Sequence, residues 1–229
     1  MKKLVIIPAY NEQGSIEKTV HDIIEHAKSF DYIIINDCST DRTLEICQSN
    51  HFHVVSLPMN LGIGGGVQTG YMYAKEYGYD IAVQFDGDGQ HNAKYLEDMA
   101  EQLEEKKIDM LIGSRYIEKK GFQSSGLRRL GIRYFTTLIK FLTGKKITDP
   151  TSGMRMANQK VIELFAKDYP KDYPEPESVT TILKKGFMVE EIPVIMNERE
   201  SGVSSISPRK SIYYMIKVTI AVFMSAWRS

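Results

Sequence analysis

The first half of the chain is punctuated by short apolar runs of strand length: LVII at 4–7, YIII at 32–35, HVVSL at 53–57, IAVQF at 81–85 and MLIG at 110–113. Between them lie stretches with helical spacing, about Ser15 to Ala27, Thr40 to Ser49, Gly66 to Tyr77 and Ala93 to Lys106. This alternation predicts an α/β fold with a mostly parallel sheet covered by helices on both faces. Such sheets bind ligands beyond the carboxyl ends of their strands, so polar motifs should follow the strands directly. They do: PAYNE (8–12), NDCSTD (36–41), NLGIGGG (60–66) and DGDGQH (86–91) each follow one run.

After residue 115 the alternation weakens. GLRRLGIRYFTTLIKFLTG (126–144) sets Arg128, Arg129 and Arg133 among apolar residues as on an amphipathic helix with a basic stripe. A loop, TDPTSGMR (148–155), leads to further helical segments, a strand at about 187–195 and the polar turn NERESGVSS (197–205). No Gly- or Ser-rich linker divides the chain, so the expectation is one domain over 1–205 with a C-terminal appendage over 206–229. That appendage is apolar but carries Lys217 and closes on Trp227 and Arg228. It falls short of the roughly 20 apolar residues that a membrane span needs. An interfacial helix fits its flanking aromatic and basic residues, and a helix packed on the core fits equally.

Composition narrows the function classes. A hydrophobic fraction of 42% and a charged fraction of 25% in 229 residues belong to a globular chain with a sizeable core. The formal net charge of zero supplies no global field for a nucleic-acid partner. Cys38 and Cys47 have neither the number nor the spacing of a disulfide framework or a zinc site, which suggests a reducing compartment. KKLVIIPAY is too short for a signal-peptide core, so the body of the protein is expected in the cytoplasm.

Each motif suggests a chemistry with a plainer alternative beside it. Asp86 and Asp88 flank Gly87 on one turn, where two like charges repel unless a cation lies between them. Hard oxygen ligands of this kind suit Mg²⁺ or Mn²⁺ bridging to substrate phosphates, and Gln90 could add a carbonyl oxygen. A solvated Asp-Gly turn is the plainer alternative. Asp37 stands at a strand end, where it could accept hydrogen bonds from a base or a ribose; its neighbours Ser39, Thr40 and Asp41 look like helix caps. The glycines at 62, 64, 65, 66 and 70 allow backbone N–H groups to approach an anion at a helix N-terminus, or simply mark a tight turn. Arg115, the arginines of 128–133 and Arg199 could recognise phosphate or stabilise a leaving group. Taken singly, each is as well explained as a solvated or snorkelling side chain.

Together, PAYNE, NDCSTDRT, NLGIGGG, DGDGQH, GSRY, TDPTSGMR and RESGVSS resemble, in order and spacing, the family 2 glycosyltransferases of GT-A fold over roughly residues 3–205. DGDGQH with GSRY and TDPTSG is most similar to the dolichol-phosphate mannose synthase and polyprenyl-phosphate glycosyltransferase branch. The resemblance implies a UDP-, GDP- or dTDP-sugar donor with Pro8, Tyr10, Glu12 and Asp37 around the base and ribose, and Gly64 and Gly87 lining the site. It implies that Asp86, Asp88 and Gln90 hold Mg²⁺ or Mn²⁺ on the diphosphate, which Arg199 contacts from a mobile loop. Arg115, Arg129 and Arg133 match positions that receive an acceptor phosphate in that branch. The sequence departs from the pattern where Gly87 replaces a common small residue such as alanine, and where Cys38 replaces a common glycine beside the base pocket.

Inverting transfer to a polyprenyl phosphate, undecaprenyl or dolichyl, is therefore expected, at the inner face of the cell membrane and with a small membrane protein as a conceivable partner. YPEPES (173–178) occupies the stretch where relatives that glycosylate sugar hydroxyls carry a base, so Glu175 or Glu177 keeps a glycan acceptor open. Two further readings use the same residues: a non-catalytic nucleotide-sugar-binding subunit and a metal-dependent nucleotidyltransferase.

Overall fold

The computed structural model describes residues 1–121, 126–172, 174–198 and 208–228. Seven strands form one sheet: β1 (Lys3–Ala9), β2 (Phe30–Asn36), β3 (Val54–Ser56), β4 (Ile81–Gln84), β5 (Met110–Ser114), β6 (Arg155–Asn158) and β7 (Val189–Pro193). Their spatial order is β3-β2-β1-β4-β6-β5-β7. Every pairing is parallel except those of β6, which runs antiparallel to both β4 and β5. The α/β class, the mostly parallel sheet and all six expected strands are present, the last as β7. The remaining strand, β6, lies where the sequence reads as a loop followed by helices, because its four residues leave too short a period to recognise.

The helices are α1 (Ile16–His26), α2 (Thr43–Ser49), α3 (Gly62–Glu76), α4 (Leu96–Glu105), α5 (Gly126–Thr143), α6 (Gln159–Lys167), α7 (Pro174–Lys184) and α8 (Pro208–Arg228). Alternate residues of each buried strand feed two cores. Val5, Ile7 and Val83 face α1 and α4, whereas Leu4, Ile6 and Ala82 face α3, α6 and α7. Helix α3 begins four residues before the expected Gly66, so the glycines lie in its first turns rather than ahead of it. Gly64 and Gly70 serve close packing there. A Cβ on Gly70 would lie 2.1 Å from Cγ2 of the fully buried Ile6, so α3 can approach β1 only with glycine at that position.

Helix α8 packs its inner side on α5 around Phe135, Val218 and Val222. Tyr134 Oη and Thr219 Oγ1 lie 3.1 Å apart, Thr181 and Ser225 share a hydrogen bond, and Lys217 Nζ is 2.7 Å from Asp172 Oδ2. Its outer side is a stripe of exposed apolar residues, Ile216, Ile220, Phe223, Met224 and Trp227, the last 91% exposed. Among the described residues no helix is long and apolar enough to cross a membrane.

The close contact of α3 with β1 gives a stability prediction. Gly70→Ala adds helix propensity worth about 1 kcal/mol, but the overpacking against Ile6, roughly 1–3 kcal/mol, outweighs it. With the contact as close as 2.1 Å the cost lies at the upper end of that range, so urea unfolding of Gly70→Ala should show a net loss of about 2 kcal/mol, and Ile6→Ala in the same chain should cost less than it does alone. Equal stability of Gly70→Ala and wild type would refute the packing argument.

Candidate active site

Because six strands run the same way, their carboxyl ends share one edge of the sheet. The antiparallel β6 brings its preceding loop, Thr148–Gly153, to that edge as well. The last two carbonyls of β1 organise the centre: Gly87 N donates to Pro8 O at 3.4 Å, and Asp37 N donates to Ala9 O at 2.9 Å. The turn carrying Asp86 and Asp88 and the turn carrying Asp37 thus flank β1 on opposite sides, about 10 Å apart as two interstrand spacings. The first of these turns leaves little room for a side chain at Gly87. A Cβ on Gly87 would meet Pro8 O at 3.2 Å and Ile16 Cδ1 at 3.5 Å.

Asp86 is held at both oxygens. Gln84 Nε2 donates to Oδ1 at 3.0 Å, and His91 Nε2 lies 3.2 Å from Oδ2. The carboxylate also rests against Gly153, where a Cβ would come within 2.2 Å of Oδ2. Burial opposes its charge, but the hydrogen bond and charge of His91, the Gln84 amide and the field of Arg155 together hold it below the usual carboxylate range. The side chain keeps 31% exposure, so the anion is fixed yet reachable. Asp88 is half-buried, and its Oδ1 accepts the Gln90 backbone N–H at 3.1 Å. The Gln90 side-chain amide donates to Asn197 O at 3.4 Å. Among the described residues no group of three or more His, Cys, Asp and Glu side chains converges on one point. Two carboxylates with an amide oxygen fit a Mg²⁺ or Mn²⁺ ion that takes its remaining ligands from substrate phosphates and water.

The N-terminus of α3 is closed by the protein's own groups. Leu61 N donates to Asp37 Oδ1 at 2.6 Å, Gly62 N to Asn60 Oδ1 at 3.1 Å, and Gly64 N to Lys171 O at 3.2 Å. The anion at this helix end is therefore Asp37 itself, where the helix dipole favours it. Gly64 makes room for the Pro170–Lys171 backbone, 2.1 Å from where its Cβ would be. Cys38 follows Asp37 at φ 58°, a left-handed conformation that glycine adopts without strain. Pro8 is buried and Glu12 nearly so, with Glu12 Oε2 accepting from Ser15 Oγ at 3.0 Å. Tyr10 is exposed at 48% on the same edge.

Arg115 forks onto the fully buried Asp149, with Nε 2.7 Å from Oδ2 and Nη2 2.8 Å from Oδ1. Glu191 holds the loop behind Asp149 by accepting the backbone N–H groups of Thr148 at 2.7 Å and Asp149 at 2.8 Å. The guanidinium of Arg115 stacks on Tyr116 at 5.5 Å, and the charges of Arg128 and Arg129 act on the same tyrosine. The first turn of α5 thus adjoins the end of β5. Arg129 and Arg133 are exposed on α5. Arg199 lies outside the described residues.

Helix α7 opens on Pro174 with Glu175 and Glu177 in its first turn, a favourable place for proline and for acids. Both glutamates are half-buried. Burial, reinforced by Asp86 and only partly offset by Arg155 and Arg115, raises the Glu175 carboxyl above its usual range. Five contributors went unrecognised in the sequence: Gln84, His91, Asp149, Gly153 and Arg155. Gln84 was visible as a polar residue inside an apolar strand, and Arg155 as the end of a motif whose role was unassigned.

Two outcomes follow. Gly153→Ala should displace the Asp86 carboxylate and lower the thermal stabilisation by nucleoside diphosphate with Mn²⁺, while unliganded stability changes little; an unchanged ligand shift would contradict the contact. Glu175 has a raised native pKa, so the native state takes up protons before the unfolded chain does, and stability falls as pH rises through the native value. Glu175→Gln should therefore melt higher than wild type at pH 8, with the advantage gone below about pH 4, where the carboxyl is neutral in both states. A constant difference across that range would show that burial does not perturb Glu175.

Comparison with known proteins places this geometry. Polyprenol monophosphomannose synthase of Mycolicibacterium smegmatis is 29% identical over 227 residues, covering 95% of this chain and 85% of that protein. The UDP-N-acetylglucosamine–dolichyl-phosphate N-acetylglucosaminyltransferase of Methanococcus voltae is 30% identical over 214 residues, covering 83% of each. The fold is similar to that of glucosyl-3-phosphoglycerate synthase from Mycobacterium tuberculosis, with a TM-score of 0.73 at 18% identity over 98% of this chain and 79% of that one. Residues 4–165 match glycosyl transferase family 2, and the chain belongs to that family of glycosyltransferases.

Proposed function

We propose that the chain transfers a sugar, with inversion, from a nucleoside-diphosphate sugar to a polyprenyl phosphate at a membrane surface. The observation that carries this reading is the junction of charge and apolar surface at the end of β5. Arg115 packs on Tyr116 there, the charges of Arg128 and Arg129 act on the same tyrosine, and exposed Leu130, Tyr134 and Phe141 follow along α5, with further exposed apolar residues on α8. Arg129, Arg133 and Lys140 fall on one stripe of α5 beside it. A lipid carrier presents this combination, an anionic head group on an apolar chain. Further support comes from relatives named for polyprenyl- and dolichyl-phosphate acceptors, including the undecaprenyl-phosphate mannosyltransferase of Micrococcus luteus, 27% identical over 90% of this chain and 88% of that protein.

In this reading residues 1–205 form the transfer unit and 206–229 the docking helix on the cytoplasmic side. Pro8, Tyr10, Glu12 and Asp37 receive the base and ribose, while Asp86, Asp88 and Gln90 hold Mg²⁺ or Mn²⁺. Such an ion, when bound, would neutralise charge on the diphosphate leaving group. Arg115 and Arg129 orient the acceptor phosphate, with Arg133 behind them on the same helix. A phosphate oxygen attacks the anomeric carbon, and the carbon–oxygen bond to the diphosphate breaks with its electron pair leaving on the β-phosphate. The acceptor is already anionic, so no residue has to remove a proton.

The raised pKa of Glu175 favours a second reading. A carboxylate of increased basicity beside Asp86 is suited to deprotonating a sugar hydroxyl, which would make the acceptor a glycan. Variants separate the two. For a phosphate acceptor, Glu175→Gln and Glu177→Gln should keep kcat within about threefold, whereas Arg129→Ala should lose about 10- to 100-fold as a charged hydrogen bond is removed. Loss of about 10²- to 10⁴-fold on either glutamine substitution, with Arg129→Ala near wild type, would make the hydroxyl the acceptor. Release of nucleoside diphosphate, rather than pyrophosphate, excludes nucleotidyl transfer in the same assay.

A further inference from the structure

Arg155 is 1% exposed, the largest fully buried side chain among the described residues. It sits on β6 opposite Gln84 of β4 on one side and Ile112 of β5 on the other, on the sheet face covered by α3 and α7. Its hydrogen-bond partners are neutral. Nε donates to Ser152 O at 2.7 Å, Nη2 to Pro150 O at 2.8 Å, and Nη1 to both Glu175 O and Ser178 Oγ at 2.7 Å. A buried cation is an expensive way to fill a sheet, and an apolar residue of similar volume generally holds such a position at lower cost. The geometry accounts for the arginine differently.

Each acceptor on Arg155 belongs to a segment that carries a functional group. Pro150 follows Asp149, which grips Arg115. Ser152 precedes Gly153, against which the Asp86 carboxylate rests. The Glu175 carbonyl and the Ser178 hydroxyl are the first turn of α7, from which Glu175 faces the same space. On its own strand, Arg155 is paired with Gln84, whose amide holds Asp86 at 3.0 Å. One planar, rigid guanidinium therefore ties the single loop 148–153, which backs both the donor carboxylate and Arg115, to the helix start that carries Glu175. Lysine could supply the charge but not the three-directional geometry.

We propose that Arg155 is a positioning residue of the transfer reaction, fixing the distance between Asp86 on the donor side and Arg115 and Glu175 on the acceptor side. It touches no substrate. Its contribution is alignment of the acceptor with the anomeric carbon, so its loss should let water compete for the activated donor. The inference rests on sugar transfer by this family and on neither acceptor class. A wrong acceptor assignment would appear in the wild-type protein before any variant is made.

The test uses Arg155→Lys and Ser178→Ala in the full chain, with three readouts: melting shift by nucleoside diphosphate and Mn²⁺, kcat for transfer with the acceptor that wild type uses, and the share of donor lost to water. Arg155→Lys should bind nucleotide within about threefold of wild type and lose about 10²-fold in kcat, the scale of an ångström of misplacement. Its hydrolysed share should increase about tenfold or more. Ser178→Ala, which removes one of the four hydrogen bonds of Arg155 together with the hydroxyl's own bond to Glu175 O, should move both in the same direction by less, and it decides the matter if Arg155→Lys does not fold. Unchanged kcat and partition in a folded variant would overturn the proposal. So would a fall in transfer that matches lost nucleotide binding or lost folded protein with the partition unchanged, since that is a purely structural role.

Discussion

The structure depends on one reversed strand. β6 enters an otherwise parallel sheet between β4 and β5 and satisfies the backbone groups of both. Reversal also changes which end of the strand meets the active edge: every parallel strand brings the loop that follows it, and β6 brings the loop that precedes it. TDPTSG therefore arrives beside DGDG, and Arg155 lands opposite Gln84. A parallel β6 would place Asp149, Gly153 and the Arg155 guanidinium at the far end of the sheet, and Asp86 and Arg115 would lose their supports together.

The charges at this edge are arranged in layers. Closest to the sheet is Arg155, with neutral partners; above it lie Asp86, pulled toward its ionised form, and Glu175, pushed toward its neutral form. The two carboxyls are driven in opposite directions by their surroundings, Asp86 downward and Glu175 upward. This separation does not come from sequence spacing. Asp86 has Gln84 and His91 as donors at its oxygens, whereas Glu175 is perturbed first by burial. Burying Glu175 costs stability wherever its carboxyl is ionised.

Much of this was legible in the residues. Apolar runs of strand length located β1, β2, β4 and β5, because each is a buried segment, and also β3 at the partly exposed edge; the rule that ligands meet the carboxyl ends of strands located the turns bearing Asp37, Asp86 and Asp88. The glycine-rich segment reads either as a tight turn needing small residues or as a place where an anion meets a helix N-terminus. That physics holds, but the anion is the carboxylate of Asp37, and two of the glycines serve close packing on Ile6 and on the Pro170–Lys171 backbone. Arg155 and Asp149 were illegible because their meaning lies in cross-strand register and loop packing. Neither leaves a periodic trace in four residues of strand. Arg115 was read as a phosphate ligand; the sequence could not reveal that one edge of its guanidinium is already held by Asp149.

The central claim is that Asp86 and Asp88 together hold a divalent cation on the diphosphate of the donor. Electron paramagnetic resonance titration of Mn²⁺ in the presence of UDP, GDP or dTDP tests it most directly, because the signal counts bound metal without requiring turnover. The account predicts one Mn²⁺ held per chain only when the matching nucleoside diphosphate is present, with occupancy lost in both Asp86→Asn and Asp88→Asn. Equal Mn²⁺ uptake by wild type and both variants, or no nucleotide dependence, would contradict it.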